Sequence, residues 1–449
     1  MRRLNAYAAA WAVAASIAAP WLRLMLRLRQ HRGKEAPGRL PERRGIDRTP
    51  RPAGRLIWLH AASVGETTSI LPVLPELAAL APDVTVLLTT GTVTSAELLA
   101  RRLPELGLER RVLHRFVPLD VPAWARRFVD HWRPDAAGFV ESELWPNLLA
   151  ACRARSVPVM LINARMSDRS FAQWQRVPDF ARHVLGGFAR IQARSAADAD
   201  RLHALRSRSA KPGHHERGGD PTSCDAAVIT APGDLKLAAP PLPVDCAELA
   251  RLRSLLSGRP IWLAASTHPG EEALIFAAHR ALAADHPGLL TLIAPRHPER
   301  GAAIAAEAGG ITVTRRSLGA APPTDGVWIV DTLGELGLWY RLAGIAFVGR
   351  SLLPPGGGQN PLEPARLGCA LAVGPHAANF TDHVAMLRTA GALTVVRDAT
   401  DLAHWVDALL RDPARRQAMA DAASGFMQQH GDLDLPARTA AALLALGGA

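Results

Sequence analysis

Cysteine is scarce in this chain of 449 residues, and Cys152, Cys224, Cys246 and Cys369 stand far apart. They have neither metal-type spacing nor the look of a disulfide framework, so a reduced, cytosol-facing body is expected. No G-x-x-x-x-G-K-[ST] segment is present, which excludes a P-loop nucleotide hydrolase. No RNA-binding aromatic signature is present either, and the basic residues are spread rather than blocked, so nucleic acid is not expected as a partner. His268 and His297 lack a third convergent ligand at helical spacing, which argues against a metal site. Acidic residues are outnumbered, with 41 Asp and Glu against 52 Lys and Arg, a formal net charge of +11. That excess favours an anionic membrane face or phosphorylated substrates.

The N-terminus differs from everything after it. Arg2 and Arg3 precede an apolar run from Ala6 to Leu22, and Arg23, Arg27, Arg29 and Arg32 follow it. A basic start and small residues near Ala18 fit a signal peptide. The run is slightly short of the roughly 20 residues of a membrane span. Basic flanks on both sides fit an interfacial anchor, and an uncleaved membrane anchor over residues 1–32 is the reading taken.

After an Arg-, Pro- and Gly-rich linker at 33–54, short apolar runs alternate with amphipathic stretches. Strands are expected at 56–59, 84–88, 136–140 and 157–162, with helices at 63–80, 94–103 and 145–155. The alternation resumes with strands at 261–265, 289–294, 311–314, 327–330, 345–348, 370–373 and 393–396. This is the pattern of parallel sheets covered on both faces. The segment between lacks periodicity and marks a boundary. The partition is a Rossmann-like domain at 55–210, a linker at 211–233, a second Rossmann-like domain at 234–425 and a helical tail at 426–449. The fold class is α/β, with two domains facing a cleft. Ligands of such sheets sit beyond the carboxyl ends of the strands.

The loops at those ends carry the polar residues. Ser63-x-x-Glu66 reads as a capping box, yet Gly65 inside the first turn costs helix stability, and Glu66 at a strand end has the placement of a general base. Thr94 with Glu97 and Thr332 with Glu335 repeat the capping pattern, and Gly334 repeats the anomaly of Gly65. Glu141 and Glu143 precede Trp145-Pro146; an acidic first turn explains them, and so does a site of perturbed proton affinity. Arg165 and Arg169 suit an anionic acceptor. Arg296, where a strand stops, suits a phosphate. Lys236 stands close to the expected hinge. Gly356 to Gly358 lead into Asn360-Pro361-Leu362-Glu363, read as cap, first helical position and third-position acid, with backbone N–H groups available to a phosphate or nucleotide.

Ten blocks in order, WLHAASVGE, ESELWPN, NARMSDRS, GDLK, ASTHPGEE, APRHPER, DTLGELGLWY, FVGRSL, NPLEPA and GPHAANF, resemble those of the 3-deoxy-D-manno-octulosonic acid (Kdo) transferases of lipopolysaccharide assembly. The likeness runs from about Arg43 to about Phe380. It implies a glycosyltransferase B fold and an inverting transfer from CMP-Kdo to a phosphorylated lipid A precursor, lipid IVA, at the cytoplasmic face of the inner membrane. The first domain would take the acceptor and the second the donor. It implies no metal or other cofactor and an N-terminal anchor. By position Glu66 matches the family's general base, and Glu141 and Lys236 match residues that stabilise the transition state. Pro295, Arg296, Gly334, Glu335, Leu336, Asn360, Pro361, Leu362 and Glu363 match blocks that contact CMP. Departures are Gln359 where the family usually has His, Arg350 where it has Gly, and Asp234 where Asn is common. The alternatives are a two-domain transferase using a UDP-sugar and a non-catalytic nucleotide- or anionic-lipid-binding relative.

Overall fold

A computed structural model describes residues 6–207 and 228–448. Most of the expected linker at 211–233, together with Arg2, Arg3 and Cys224, lies outside the described residues. The chain forms two compact units, one of Met1–Ala239 with Asp432–Ala449 and one of Pro240–Gly431.

The first unit is built on a parallel sheet of β1 (Leu56–Ala61), β2 (Thr85–Thr90), β3 (Val112–Phe116), β4 (Ala136–Val140), β5 (Val159–Ala164), β6 (Arg190–Ala193) and β7 (Val228–Thr230), in the order β3-β2-β1-β4-β5-β6-β7. β1, β4 and β5 are buried along their whole length. Helices cover both faces, so these strands read as continuous apolar runs rather than alternating ones. Trp58, Phe128, Phe139 and Trp132 fill one side of the sheet, and Leu59, Val140, Ile162 and Leu443 the other. Leu443 comes from the C-terminal helix Leu435–Leu446, which packs on helix Val73–Leu80 and on β4. The segment read as a tail from residue 426 is therefore divided: helix Pro413–His430 stays with the second unit, and the last helix completes the core of the first.

The second unit repeats the plan with β8 (Ile261–Thr267), β9 (Leu290–Pro295), β10 (Val313–Arg315), β11 (Gly326–Ile329), β12 (Ile345–Val348), β13 (Ala370–Val373) and β14 (Leu393–Val395), ordered β10-β11-β9-β8-β12-β13-β14. Strand order reverses between β1 and β4 in the first sheet and between β8 and β12 in the second. At such reversals the loops beyond the carboxyl ends diverge and leave a crevice.

Several expectations need correction. The helix expected at 63–80 is two helices, Val64–Ile70 and Val73–Leu80, because Pro72 and Pro75 cannot donate to the ladder of one continuous helix. The cap before helix Val93–Glu105 is Thr92, whose side chain accepts from Ser95 N, not Thr94. β7 lies inside the expected linker, and Lys236, assigned to the second domain, belongs to the first unit.

Helix Ala6–His31 is 26 residues long and is long and apolar enough to cross a membrane. Tyr7, Trp11, Ile17, Trp21 and Leu24 on it are exposed. Trp11 Nε1 donates to Asp120 Oδ2 at 2.8 Å. The Asp120 carboxylate also accepts from Asn147 N and Leu148 N and so caps helix Pro146–Ala154.

Candidate functional site

The reversal between β1 and β4 brings the loop after β1 beside the loop after β4. Ser63 caps helix Val64–Ile70 by accepting from Glu66 N. The Glu66 carboxylate reaches back, accepting from Ala62 N at 2.7 Å and from Ser63 Oγ at 2.9 Å. The capping role and a chemical role thus fall on one side chain. Burial raises the Glu66 carboxyl most, the negative charge of Glu143 raises it further, and the hydrogen bond from Ser63 opposes both. It ends at about 7. A carboxylate poised there is matched to taking a proton at neutral pH.

Glu143 is held differently. Its Oε2 lies 3.1 Å from Nε2 of the fully buried His60 and accepts from Trp145 Nε1. Burial pushes its carboxyl up, but the hydrogen bonds from His60 and Trp145 outweigh burial and leave it below the usual range. Glu143 is accordingly a fixed anion. A carboxylate accepts only, so the His60 Nε2 facing it carries the proton. His60 Nδ1 meets Thr89 Oγ1 at 3.1 Å, and that hydroxyl accepts from Trp58 Nε1 at 2.9 Å. A buried chain from the first sheet therefore fixes the charge next to Glu66. His60 was legible only as part of the WLHAASVGE block, with no role attached.

Glu141 and Asn163 both sit at positive φ, at 59° and 54°. Asn163 Nδ2 donates to Asp234 Oδ1 at 3.1 Å, and its Oδ1 accepts from Leu235 N at 2.9 Å. Asp234 in turn accepts from Lys236 N, capping the short turn Leu235–Ala238. This clamp delivers Lys236, whose Nζ lies 2.6 Å from Glu141 Oε1. Three residues named from the sequence, Glu66, Glu141 and Lys236, thus meet on one edge of the first sheet. Asn163 and Asp234, which position them, carried no predicted role.

The donor residues expected in the second unit meet less completely. Pro295 ends β9 and is buried, while Arg296 and His297 beyond it are exposed. The His297 ring lies 6.0 Å from that of His268 at the end of β8. Gly334 sits at φ 82°, outside any helix, which explains the glycine; helix Leu336–Ala343 begins after it. Glu335 does not form the expected box. It is gripped by Arg316 at 2.7 Å and 3.2 Å, and Thr332 donates to it.

The glycine-rich loop also corrects an expectation. Three of its N–H groups are not open: Gly357 N donates to His376 O, Gly358 N to Arg350 O and Gln359 N to Gly349 O. The buried Glu271 carboxylate takes the N–H groups of Arg350, Ser351 and Leu352 at 2.7, 2.9 and 3.0 Å. Leu362 N donates to Asn360 Oδ1 at 3.1 Å, but the five-residue helix Leu362–Arg366 starts one position later than expected, with Pro361 rather than Asn360 at its cap. Glu363 receives the Asn360 amide at 3.3 Å. Positive charge at this edge comes instead from Arg296 and Arg350, which are exposed on neighbouring loops. Among the described residues no three His, Cys, Asp or Glu side chains converge as a metal site.

Comparison with known proteins gives a consistent result. The family described as 3-Deoxy-D-manno-octulosonic-acid transferase (kdotransferase) matches residues 38–213. The "Probable 3-deoxy-D-manno-octulosonic acid transferase, mitochondrial" of Arabidopsis thaliana is 36% identical over 405 residues, covering 88% of this chain and 86% of that protein. The 3-deoxy-D-manno-octulosonic acid transferase of Bordetella pertussis is 35% identical over 422 residues, covering 91% and 92%. Among solved structures, MurG from Acinetobacter baumannii superposes with a TM-score of 0.53 at 13% identity, over 88% of this chain and 100% of that one. That likeness concerns the fold, which is of the glycosyltransferase B type.

Proposed function

The chain belongs to the 3-deoxy-D-manno-octulosonic acid transferase family, and from that premise we propose that Glu66 is the general base of Kdo transfer from CMP-Kdo to a lipid A precursor. Kdo transfer in lipopolysaccharide assembly is the family's reaction and that of this chain. The observation that carries the assignment of the base is the placement of Glu66 at the β1–β4 reversal, largely buried and beside the fixed anion Glu143, with its carboxyl raised to about 7.

Glu66 removes the proton of an acceptor hydroxyl. The freed oxygen attacks the anomeric carbon of Kdo from the face opposite the phosphate, the anomeric C–O bond breaks, and CMP departs with the electron pair. One inversion results. The Kdo carboxylate lies beside the reacting carbon. An ammonium carries three donors, and its ion pair with Glu141 at 2.6 Å orients Lys236 toward that carboxylate. On the donor side Arg296 and Arg350 offset the charge that grows on the leaving phosphate. Pro295, the turn at Gly334 to Leu336, and Asn360 to Glu363 frame the nucleotide. The resemblance implies no metal, and the donor charge is met here by side-chain cations. Helix Ala6–His31 holds the enzyme to the cytoplasmic face of the inner membrane, a reading supported by its apolar length and exposed aromatic residues.

The test is incubation of the full-length protein with a CMP-Kdo generating system and a tetra-acylated lipid A precursor, with products weighed by mass spectrometry. Addition of Kdo by the wild type, and a rate lower by about 10²-fold or more in Glu66→Gln, are expected, with CMP but not UDP competing. Transfer by Glu66→Gln near the wild-type rate overturns the base, and absence of transfer by the wild type overturns the substrates.

A further inference from the structure

A cavity of about 180 Å³ opens at the carboxyl edge of the first sheet, between the loop after β4 and the loop after β5. β4 and β5 are adjacent and parallel, so their loops run side by side. Ser142 Oγ donates to Arg165 O at 2.9 Å and stitches the two together. Met166, buried, and Leu144 form an apolar floor. Asp198 Oδ1 accepts from Met166 N at 2.8 Å and Arg201 donates to its carbonyl, which fixes the backbone there. Trp145 and Trp174 form walls, and Arg165 lines the same space. Apolar walls with a few convergent polar groups are the make-up of a small-molecule site.

Two further observations say what kind of molecule. First, Trp145 is 38% exposed while its Nε1 donates to Glu143, so one ring serves both the cavity and the carboxylates around Glu66. Second, an aromatic track leaves the cavity. Trp174 packs on Phe180 with ring centroids 5.7 Å apart, and Phe180 faces Tyr7 of helix Ala6–His31 at 6.3 Å. The exposed Trp11, Ile17 and Trp21 continue along that helix. A ligand with a polar, anionic head and an apolar tail matches this gradient from Arg165 to the apolar helix.

We infer that this cavity is the acceptor subsite for a phosphorylated sugar ring, with Trp145 and Trp174 against the ring's apolar face and the Arg165 guanidinium on its phosphate. The inference rests on the reaction proposed above and names where the acceptor is held. The C–H faces of a pyranose are apolar and pack on indole rings, while a guanidinium pairs with phosphate through two parallel N–H donors. Arg165 acts on binding rather than on the chemical step, and Lys, a point charge, replaces it only in part.

The experiment uses the full-length enzyme and two acceptors, the phosphorylated lipid A precursor and the same molecule without phosphate. Arg165→Gln is expected to raise the acceptor KM about tenfold or more on the phosphorylated acceptor, the scale of one lost charge-assisted pair. Donor KM should not move, the penalty should shrink to near unity on the dephosphorylated acceptor, and Arg165→Lys should recover part of it. Trp174→Ala should weaken both acceptors equally. An Arg165→Gln penalty equal on the two acceptors, or none on either, overturns the subsite. Direct binding of both acceptors to the protein in nanodiscs reads the same contrast when no transfer occurs. Failure of the proposed reaction is thereby separated from failure of this site.

Discussion

Lys236 Nζ stands 2.6 Å from Glu141 Oε1, although Glu141 follows β4 and Lys236 lies in a turn beyond β7. Asn163 makes the meeting possible by holding Asp234 and Leu235 with its one amide. Asn tolerates the left-handed backbone better than most residues with a Cβ. Asn163→Gly keeps that backbone and removes the clamp. It is expected to lower kcat about tenfold while costing only about 1–2 kcal/mol of stability, the worth of one or two hydrogen bonds. Parallel thermal unfolding and initial-rate measurements check this; an unchanged kcat would detach Lys236 from the chemistry.

The rate should depend on pH through Glu66. Its carboxyl must be ionised to accept a proton, and it sits at about 7. kcat/KM is therefore expected to rise with pH and level off above about 7. Glu143→Gln removes the neighbouring anion but not the burial, so the same limb should move to lower pH. Glu141, also anionic and paired with Lys236, stays in place in that variant. A pH profile of kcat/KM for both enzymes decides, and a limb that does not move excludes Glu143 as the tuning charge.

Stability carries the opposite sign. A carboxyl raised from its ordinary value to about 7 contributes its full stability only below that ordinary value, and the contribution is lost as pH climbs from there through about 7. Glu66→Gln removes the ionisable group and preserves an acceptor for Ala62 N. Relative to wild type it should gain stability between pH 5 and pH 9, by on the order of 2–3 kcal/mol at most, with turnover down by about 10²–10⁴-fold. Denaturant midpoints at the two pH values measure the gain, and a gain that does not depend on pH contradicts the assignment.

Arg350 sits at φ 56°, a conformation that glycine adopts freely. Arg350→Gly should relieve about 1–2 kcal/mol of backbone strain and at the same time raise the donor KM, because a cation beside His268 is lost. Stability and donor KM would move together in the direction that separates strain from function. An unchanged donor KM would leave Arg350 without a role toward the donor phosphate.

Much of the scaffold was legible. β4, β12 and β13 occur where their apolar runs predict, because a strand buried on both faces announces itself as an unbroken run. β3, with half-buried His114 and Arg115, and the short β6, with Arg190 and Gln192, show no such run and went unnamed. The C-terminal helix bears no local mark of its partner. Its place against β4 follows from which apolar face the first sheet leaves to be covered.

The sequence by itself determined that two parallel sheets form and that their carboxyl-end loops carry Glu66, Glu141 and Arg296, since both follow from periodicity and from residue types at strand ends. It also determined family membership through ten ordered blocks. Only the tertiary structure decided which of these groups meet. Strand order placed β1 next to β4, the Asn163 clamp brought Lys236 to Glu141, and the carbonyls of His376, Arg350 and Gly349 took up the N–H groups of Gly357, Gly358 and Gln359. Proton affinity, too, was out of reach of the sequence, because it depends on burial and on the distance to Glu143, and both exist only once the sheet has formed.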